Sequence, residues 1–584
     1  MKLIRLLRGH IPQVIAVLAL LVVQAICDSS LPRYMSDIVD TGIVGEHAGD
    51  FSYLSQTALV MFGFCLASLI ASAAADFLAA QIAAKVSRDL RHDVFSKVML
   101  FSSAQVDHFS QSSLITRCTN DVQQIQNLIV VMLRVVVFAP IMGIVALAQV
   151  ISIGGGLTWI IGVALLVILG VVSLLFTLTK PRFKKMQALV DRVNLVAREM
   201  LNGIMTIRAF NRQHQELDRF DGASRDLMST QLFVNRAMSL MMPIMMLVMN
   251  VATVAIVWFG GSEVAAGSMQ VGSVMAFISY AMMIVASFLI LSMVAIILPR
   301  AEVSVGRVEE VLATVPEIAS PKECLSPTQT APKGELAFEH VSFHYPAAKG
   351  NVIEDVSFSV RPGELTAIVG PTGSGKSTLL QLIPRLYDPT SGKITLDGIE
   401  LNKMSLADVR SRIGYVPQQA FLFSGTIGSN VAFGSTKLSH QEVLEAINVA
   451  QAHEIVEQRK GGLDAEISQG GANVSGGQRQ RLAIARALAI APEVLVLDDS
   501  FSALDYTTDA HLRQALSHNR SKIAILVVAQ RIATVMDASQ IIVLDEGRVV
   551  GKGTHSELLS SCPEYLEMAK SQLSESELGL DEVK

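Results

Sequence analysis

"TAIVGPTGSGKSTLLQLI", residues 366–383, passes from an apolar strand-forming run through a glycine-rich turn into a helical pattern. Gly370, Gly373 and Gly375 let the backbone wrap around phosphate groups, and the helix start that follows attracts their negative charge. Lys376 is placed to reach the β- and γ-phosphates of a nucleotide, and Ser377 to hold Mg²⁺. Pro371, Thr372, Ser374 and Thr378 complete the cradle. Strand, loop and helix occur in the order this chemistry requires, so the stretch predicts an α/β nucleotide-binding domain.

Downstream, "VLVLDDSFSALD" (494–505) runs four apolar residues into Asp498 and Asp499. A buried carboxylate without a partner is costly. At the end of a strand that follows a phosphate loop, it is explained by a metal, and Asp498 takes the role of second Mg²⁺-orienting group. Between the two stretches lies "NVSGGQRQRLAIARALA" (473–489), where Ser475, Gly476, Gly477 and Gln478 open a strongly helical segment. Such a start is ordinarily a helix cap. Its place directly before the Asp498 strand makes it a second anion site.

Outward from this domain the composition changes. The chain has 584 residues, 51% hydrophobic and 17% charged, with a formal net charge of -5. That length demands more than one domain, and the acidic balance argues against a nucleic-acid partner. No Asp, Glu, Lys or Arg lies between Arg8 and Asp28, Asp50 and Asp76, Arg134 and Lys180, Arg236 and Glu263, or Glu263 and Arg300. A bilayer takes about 20 apolar residues per helix, and "ISIGGGLT" (151–158) divides the third run. Six spans follow, near 11–30, 55–80, 127–150, 157–179, 239–261 and 272–298. Basic residues crowd 81–126 and 180–236, whereas Asp37, Asp40, Glu46 and Asp50 mark 31–54. The positive-inside rule therefore puts the two long loops and both termini in the cytoplasm. Helical periodicity in those loops predicts that spans 2 to 5 continue as rods beyond the bilayer.

Asp28, Asp76 and Arg134 fall near the ends of their spans, where snorkelling lowers the cost of charge. The five cysteines have no paired spacing, which excludes a zinc pattern and offers no disulfide framework. The expected organisation is a transmembrane domain over 1–315, a proline-marked linker over 316–334, the nucleotide-binding domain over 335–570, and a disordered acidic tail over 571–584.

Together these motifs resemble a half-transporter of the ATP-binding cassette (ABC) exporter family, along nearly the whole chain. "GPTGSGKST" (370–378) is similar to the family's Walker A loop and "VSGGQ" (474–478) to its signature, with Val474 for the usual Leu. "YVPQQAFLFSGTIGSNV" (415–431) resembles the glutamine loop, which implies that Gln418 lies near Mg²⁺ and the membrane domain. Tyr345 matches the aromatic that stacks on adenine, Asp505 in "SALD" the acid of the dimer-contact loop, and "GIMTIRAFNRQ" (203–213) the second cytoplasmic loop that docks on the opposite subunit. The resemblance implies a six-helix membrane domain followed by a P-loop ATPase domain with a helical subdomain. It implies two chains enclosing two ATPs, each between one chain's Walker A and the other's signature.

Two positions depart from the family. Asp499 stands where the family has the Glu that positions the attacking water, and Gln530 in "VVAQRIATV" (527–535) where it has His. Asp is one methylene shorter, and a displacement of about 1 Å can cost roughly 10²-fold in rate. Gln cannot carry charge near neutral pH. The expected function is ATP-driven export of amphipathic, multidrug-type compounds from a bacterial plasma membrane. This chain supplies the impaired site and an intact signature; a partner half-transporter supplies Glu, His and an altered signature. The Met-rich start of span 5 (Met238, Met241, Met242, Met245, Met246, Met249) suits such cargo. Export of lipid, peptide or thiol compounds, an ATP-binding regulatory subunit, and the rare import direction stay open.

Overall fold

The computed structural model describes residues 7–153, 156–325, 334–346, 348, 350–435, 437–518, 523–574 and 578. The chain divides into two compact units, Met1–Ser96 with Ser112–Thr314 and Lys97–Gln111 with Val315–Lys584.

Among its described residues the first unit is helical. Its elements are α1 (Ile11–Asp37), α2 (Phe51–Val98), then, beyond a short α3 (Ser103–Phe109) of the second unit, α4 (Gln111–Ile153) and α5 (Thr158–Asn202). They continue as α6 (Ile204–Ala209), α7 (Gln213–Ser239), α8 (Met241–Ala265) and α9 (Val271–Ala313). Six stretches among the described residues are long and apolar enough to cross a membrane. α5 alone has 45 residues, about 68 Å at 1.5 Å per residue, twice the hydrocarbon thickness. Residues 180–202 thus continue the span as a rod.

Ala146 and Val150 of α4, Ile160 and Ile161 of α5, Ile256 of α8 and Phe277 of α9 form an apolar core. Tyr280 of α9 is fully buried there, and its hydroxyl donates to the Ser29 carbonyl of α1 at 2.8 Å. α4 is interrupted by two π-helical turns, Arg117–Asp121 and Met132–Val136. At the first, buried Asp121 accepts from Ser304 Oγ of α9 at 2.7 Å, and Arg117 pairs with Glu310 at 2.7 Å.

The second unit holds two principal sheets, besides a small antiparallel pair of β7 (Gly425–Thr426) and β8 (Glu466–Ile467). β2 (Ile353–Val360), β1 (Leu336–Phe343), β4 (Ser391–Leu396) and β5 (Ile399–Glu400) form an antiparallel sheet in that order. The larger sheet runs β12 (Arg548–Gly553), β11 (Gln540–Asp545), β3 (Leu365–Val369), β10 (Ala524–Val528), β9 (Val494–Asp498), β6 (Ile413–Val416), parallel except at β12. β3, β9 and β10 are buried along their whole length, as central parallel strands covered on both faces must be. Val528 lies opposite both Ile368 and Asp498, and Val416 opposite Leu497. The C-terminal ends of four adjacent strands are therefore level, and the loops leaving them meet along one edge, where open α/β sheets bind ligands.

The first cytoplasmic loop contributes to this unit. Ser102 Oγ donates to Glu317 at 3.1 Å and Gln105 Nε2 to the Val315 carbonyl at 2.7 Å. Tyr387 bonds to Ser103 and Asp107, and burial pushes its hydroxyl pKa up to about 12. The stretch read as a linker starts against the same unit: Ile318 is buried, Ser320 Oγ accepts from Leu406 N at 3.0 Å, and Leu325 N donates to the Lys403 carbonyl at 2.9 Å. Residues 326–333 of that stretch, and all of the acidic tail except 571–574 and Leu578, lie outside the described residues.

Candidate functional site

The phosphate loop leaves β3 and ends at α10 (Lys376–Leu382). Gly373 and Gly375 have φ of +90° and +97°, in the left-handed region that favours glycine. At Gly375 a Cβ would sit 2.6 Å from Ile353 Cδ1 and 2.9 Å from the Val352 carbonyl, so the loop is pressed against the segment entering β2. Gly375→Ala therefore strains the backbone by about 1–2 kcal/mol before the clash is counted. The expected result is a lower Tm and a smaller upward shift on adding Mg-nucleotide, read by thermal denaturation with and without ligand. Lys376 Nζ donates to the carbonyls of Gly370 (2.8 Å) and Pro371 (2.7 Å), which aims the ammonium across the loop. Burial lowers its pKa, opposed by Asp499 and Asp498.

Asp498 closes β9 and is 3% exposed. Its Oδ1 accepts from Ser377 Oγ at 3.1 Å. Burial raises its pKa, against the Ser377 bond and the Lys376 charge. A hydroxyl and a desolvated carboxylate side by side are hard oxygen donors of the kind Mg²⁺ takes. The neighbouring Asp499 has φ +45°, rare for a residue with a side chain. A single oxygen of it, Oδ2, accepts from Gln530 Nε2 at 2.9 Å and Gln418 Nε2 at 3.2 Å. Three loops, after β6, β9 and β10, are thus joined at one carboxylate, whose pKa burial also raises. Thr372, Gly373, Gly375, Lys376, Ser377 and Thr378 line a cleft of about 230 Å³ together with Gln418, Asp498, Asp499 and Gln530. Tyr345 stands beside it: its hydroxyl lies 3.0 Å from Thr378 Oγ1.

The signature residues do not line this cleft. Beyond α11 (Leu406–Arg412), α12 (Ile427–Val431), α13 (His440–Val449) and α14 (His453–Glu457), Ser475 caps α15 (Gly476–Ala489): its Oγ accepts from Gln478 N at 3.2 Å, and Gln478 Oε1 accepts from Ser475 N at 3.1 Å. The cap uses a serine lone pair and leaves the hydroxyl proton for another acceptor. Gly477 backs onto the "SALD" loop, where a Cβ would lie 3.1 Å from the Ala503 carbonyl. Asp505 accepts from Thr508 N at 3.0 Å at the start of α16 (Tyr506–His518), a bond that lowers its pKa. In one chain, then, the residues predicted from sequence fall into two separate anion-seeking groups.

Residues 14–288 match the family model "ABC transporter transmembrane region" and residues 353–502 the model "ABC transporter". An uncharacterized ABC transporter ATP-binding protein of Mycobacterium tuberculosis is 39% identical over 577 residues, covering 98% of each chain. The chain belongs to the ABC transporter family. YfiB, an uncharacterized ABC transporter ATP-binding protein of Bacillus subtilis, is 38% identical over 93% of each chain. The ATP-dependent lipid A-core flippase of Chromobacterium violaceum is 30% identical over 95% of this transporter and 94% of its own length. The transporter's fold is also that of a bacterial Atm1-family ABC exporter solved with ATP bound (TM-score 0.80, 24% identity, 97% and 99% covered). It is an ATP-driven ABC transporter ATPase with the architecture of an exporter half.

One contact to the site has no signature in the transporter's motifs. Gln572, at the end of α18 (Pro563–Gln572, after α17 at His555–Ser561), donates to the Gln530 carbonyl and accepts from Ile532 N, each at 2.9 Å. Its amide spans the loop that carries Gln530, about 40 residues away in sequence.

Proposed function

We propose that this transporter is one half of a heterodimeric exporter in a bacterial plasma membrane, with its ATPase domain and both termini cytoplasmic. In this reading it binds ATP but hydrolyses it slowly at its own Walker motifs, and its signature serves a partner chain that carries Glu and His. The observation that carries the reading is the Asp499 carboxylate, held at one oxygen by two neutral amides. A group that activates water must have a free lone pair directed at it. Gln418 and Gln530 occupy Oδ2, which leaves only Oδ1, on a side chain one methylene shorter than Glu, for water, and neither amide can take up a proton or supply positive charge. Lys376, Ser377 and the loop glycines keep what is needed to hold triphosphate, with Ser377, Asp498 and Gln418 around Mg²⁺, which when bound neutralises phosphate charge. The expected result is that the chain purified alone retains Mg-ATP at ordinary affinity while turning it over at least about 10²-fold more slowly than the assembled pair. Nucleotide retention and phosphate release on the same sample read both. Vigorous turnover without a partner overturns the heterodimer.

For cargo, amphipathic small molecules suit the surface that α8 presents: Met242 and Met246 are 55% and 56% exposed, while Met245 is buried. Flexible, polarizable thioethers adapt to varied apolar shapes. A lipid cargo is the second reading, favoured by the name of the flippase relative. Transport assays with lipid and with cationic dye in the same vesicles separate the two. A purely regulatory subunit is the weaker reading, because an intact signature has no use without a hydrolytic cycle to serve.

A further inference from the structure

The spanning helices carry a polar stripe that nucleotide chemistry does not use. Ser68, Ser72 and Asp76 recur every fourth residue of α2 and share one helix face. Ser68 Oγ donates to Asp28 Oδ1 of α1 at 2.5 Å. Asp76 pairs with Arg134 of α4, whose Nη2 also lies 3.5 Å from Ser72 Oγ. Arg134 sits in the π-helical turn Met132–Val136, an irregularity that recurs at functional sites.

The Asp28–Ser68 bond changes the depth read from sequence. Asp28 ends the apolar run of its own helix, which suggested an interface. Its partner Ser68 lies well inside the charge-free run 51–75 of α2, and Asp76 is eight residues, about 12 Å, further along. Asp28 is therefore set beside apolar helix, where charge persists only with a partner or a function. Asp76 is neutralised by Arg134. No Lys, Arg or His pairs with Asp28 among the described residues. The stripe thus holds two acids and one base, with the unmatched charge at Asp28; exposed Ile26 stands two residues before it, and exposed Leu69 and Ile70 follow its partner Ser68 in sequence. A serine–carboxylate bond that only joined two helices would serve as well with a neutral amide.

We propose that Asp28, oriented by Ser68 beside the Asp76–Arg134 pair, is the headgroup subsite for an amphipathic monocation. This specifies the cargo of the proposed exporter, yet the binding itself needs no ATP. The test is equilibrium binding of labelled tetraphenylphosphonium to the full chain in lipid nanodiscs without nucleotide. Tetraphenylborate is the anion of matching shape and empty nanodiscs the blank. The expected result is saturable binding of the cation only, weakened about tenfold or more by Asp28→Asn and kept within about threefold by Asp28→Glu. Arg134→Gln removes the one positive charge and should tighten binding, a change that a misfolded protein cannot produce. Absence of saturable binding to the wild type, equal binding of tetraphenylborate, or wild-type affinity in Asp28→Asn overturns the proposal. If Asp28→Asn also lowers thermal stability, Arg134→Gln decides, and failure to tighten overturns it. Because nucleotide is absent, fast hydrolysis by the isolated chain defeats the impaired-site reading and leaves this subsite standing, and the reverse holds equally.

Discussion

Gly477→Asp in the assembled transporter is expected to remove nearly all ATP turnover and transport, a larger loss than Lys376→Ala causes. The ranking follows from the separation of the two anion-seeking groups within one chain. Lys376 crosses the loop of the chain's own cleft, the cleft whose Asp499 is tied down. Its loss weakens binding at a site already expected to turn over slowly. Gly477 lies at the start of α15, outside that cleft, and in the proposed pair it faces the competent nucleotide. A carboxylate there opposes the γ-phosphate. Like charges 4 Å apart repel by about 1 kcal/mol in bulk water and about 4 kcal/mol at an effective dielectric of 20. The new side chain must also fit against the Ala503 carbonyl, 3.1 Å from where a Cβ would stand. Gly477→Ala adds that contact without the charge, so the difference between Ala and Asp isolates the electrostatic part. All three variants are to be assayed in the same membranes, with assembly checked first. If Lys376→Ala proves the most damaging, the competent site lies at this chain's own Walker motifs.

How much of this was legible beforehand depends on the range of the interactions involved. The phosphate loop could be read because one continuous stretch supplies strand, turn and helix, and Asp498 because four apolar residues announce the buried strand that ends on it. The spans could be read because a bilayer imposes length and apolarity on every turn. The association of Ser102, Gln105 and Asp107 with the ATPase unit could not: that stretch is short, polar and without a period, and its partners Val315, Glu317 and Tyr387 lie more than 200 residues away. The same holds for Gln572, a single amide at a helix end. Asp28 shows the limit most plainly. Its position along α1 was evident, but its depth depends on the register of α1 against α2, which only the contact with Ser68 reveals. The first π-helical turn of α4, Arg117–Asp121, also left no trace in the pattern, since it holds no glycine or proline, whereas the second, Met132–Val136, ends four residues before Pro140, which has no N–H to donate to the Val136 carbonyl.

Asp499→Glu and Gln530→His together should raise hydrolysis at this chain's own site, by more than the two single changes combined. The two side chains touch: Gln530 Nε2 donates to Asp499 Oδ2 at 2.9 Å, and residues in contact couple by about 0.5–3 kcal/mol. Glu alone gains roughly the 1 Å of reach that water positioning demands, but it still meets a neutral amide at position 530. His alone brings a ring that can bear charge near neutral pH, but facing a carboxylate that is too short and still bound by Gln418. Only the pair replaces the tied carboxylate with one that reaches the cleft and the neutral donor with one that can be protonated. Recovery is expected to be partial, within about 10²-fold, because the signature that completes this site belongs to the partner and is expected to be altered. Trapping labelled nucleotide at each site separately measures it. Two equal sites in the double variant require an ordinary signature in the partner; no gain at all means that the limit lies elsewhere than in the grip of Gln418 and Gln530 on Asp499.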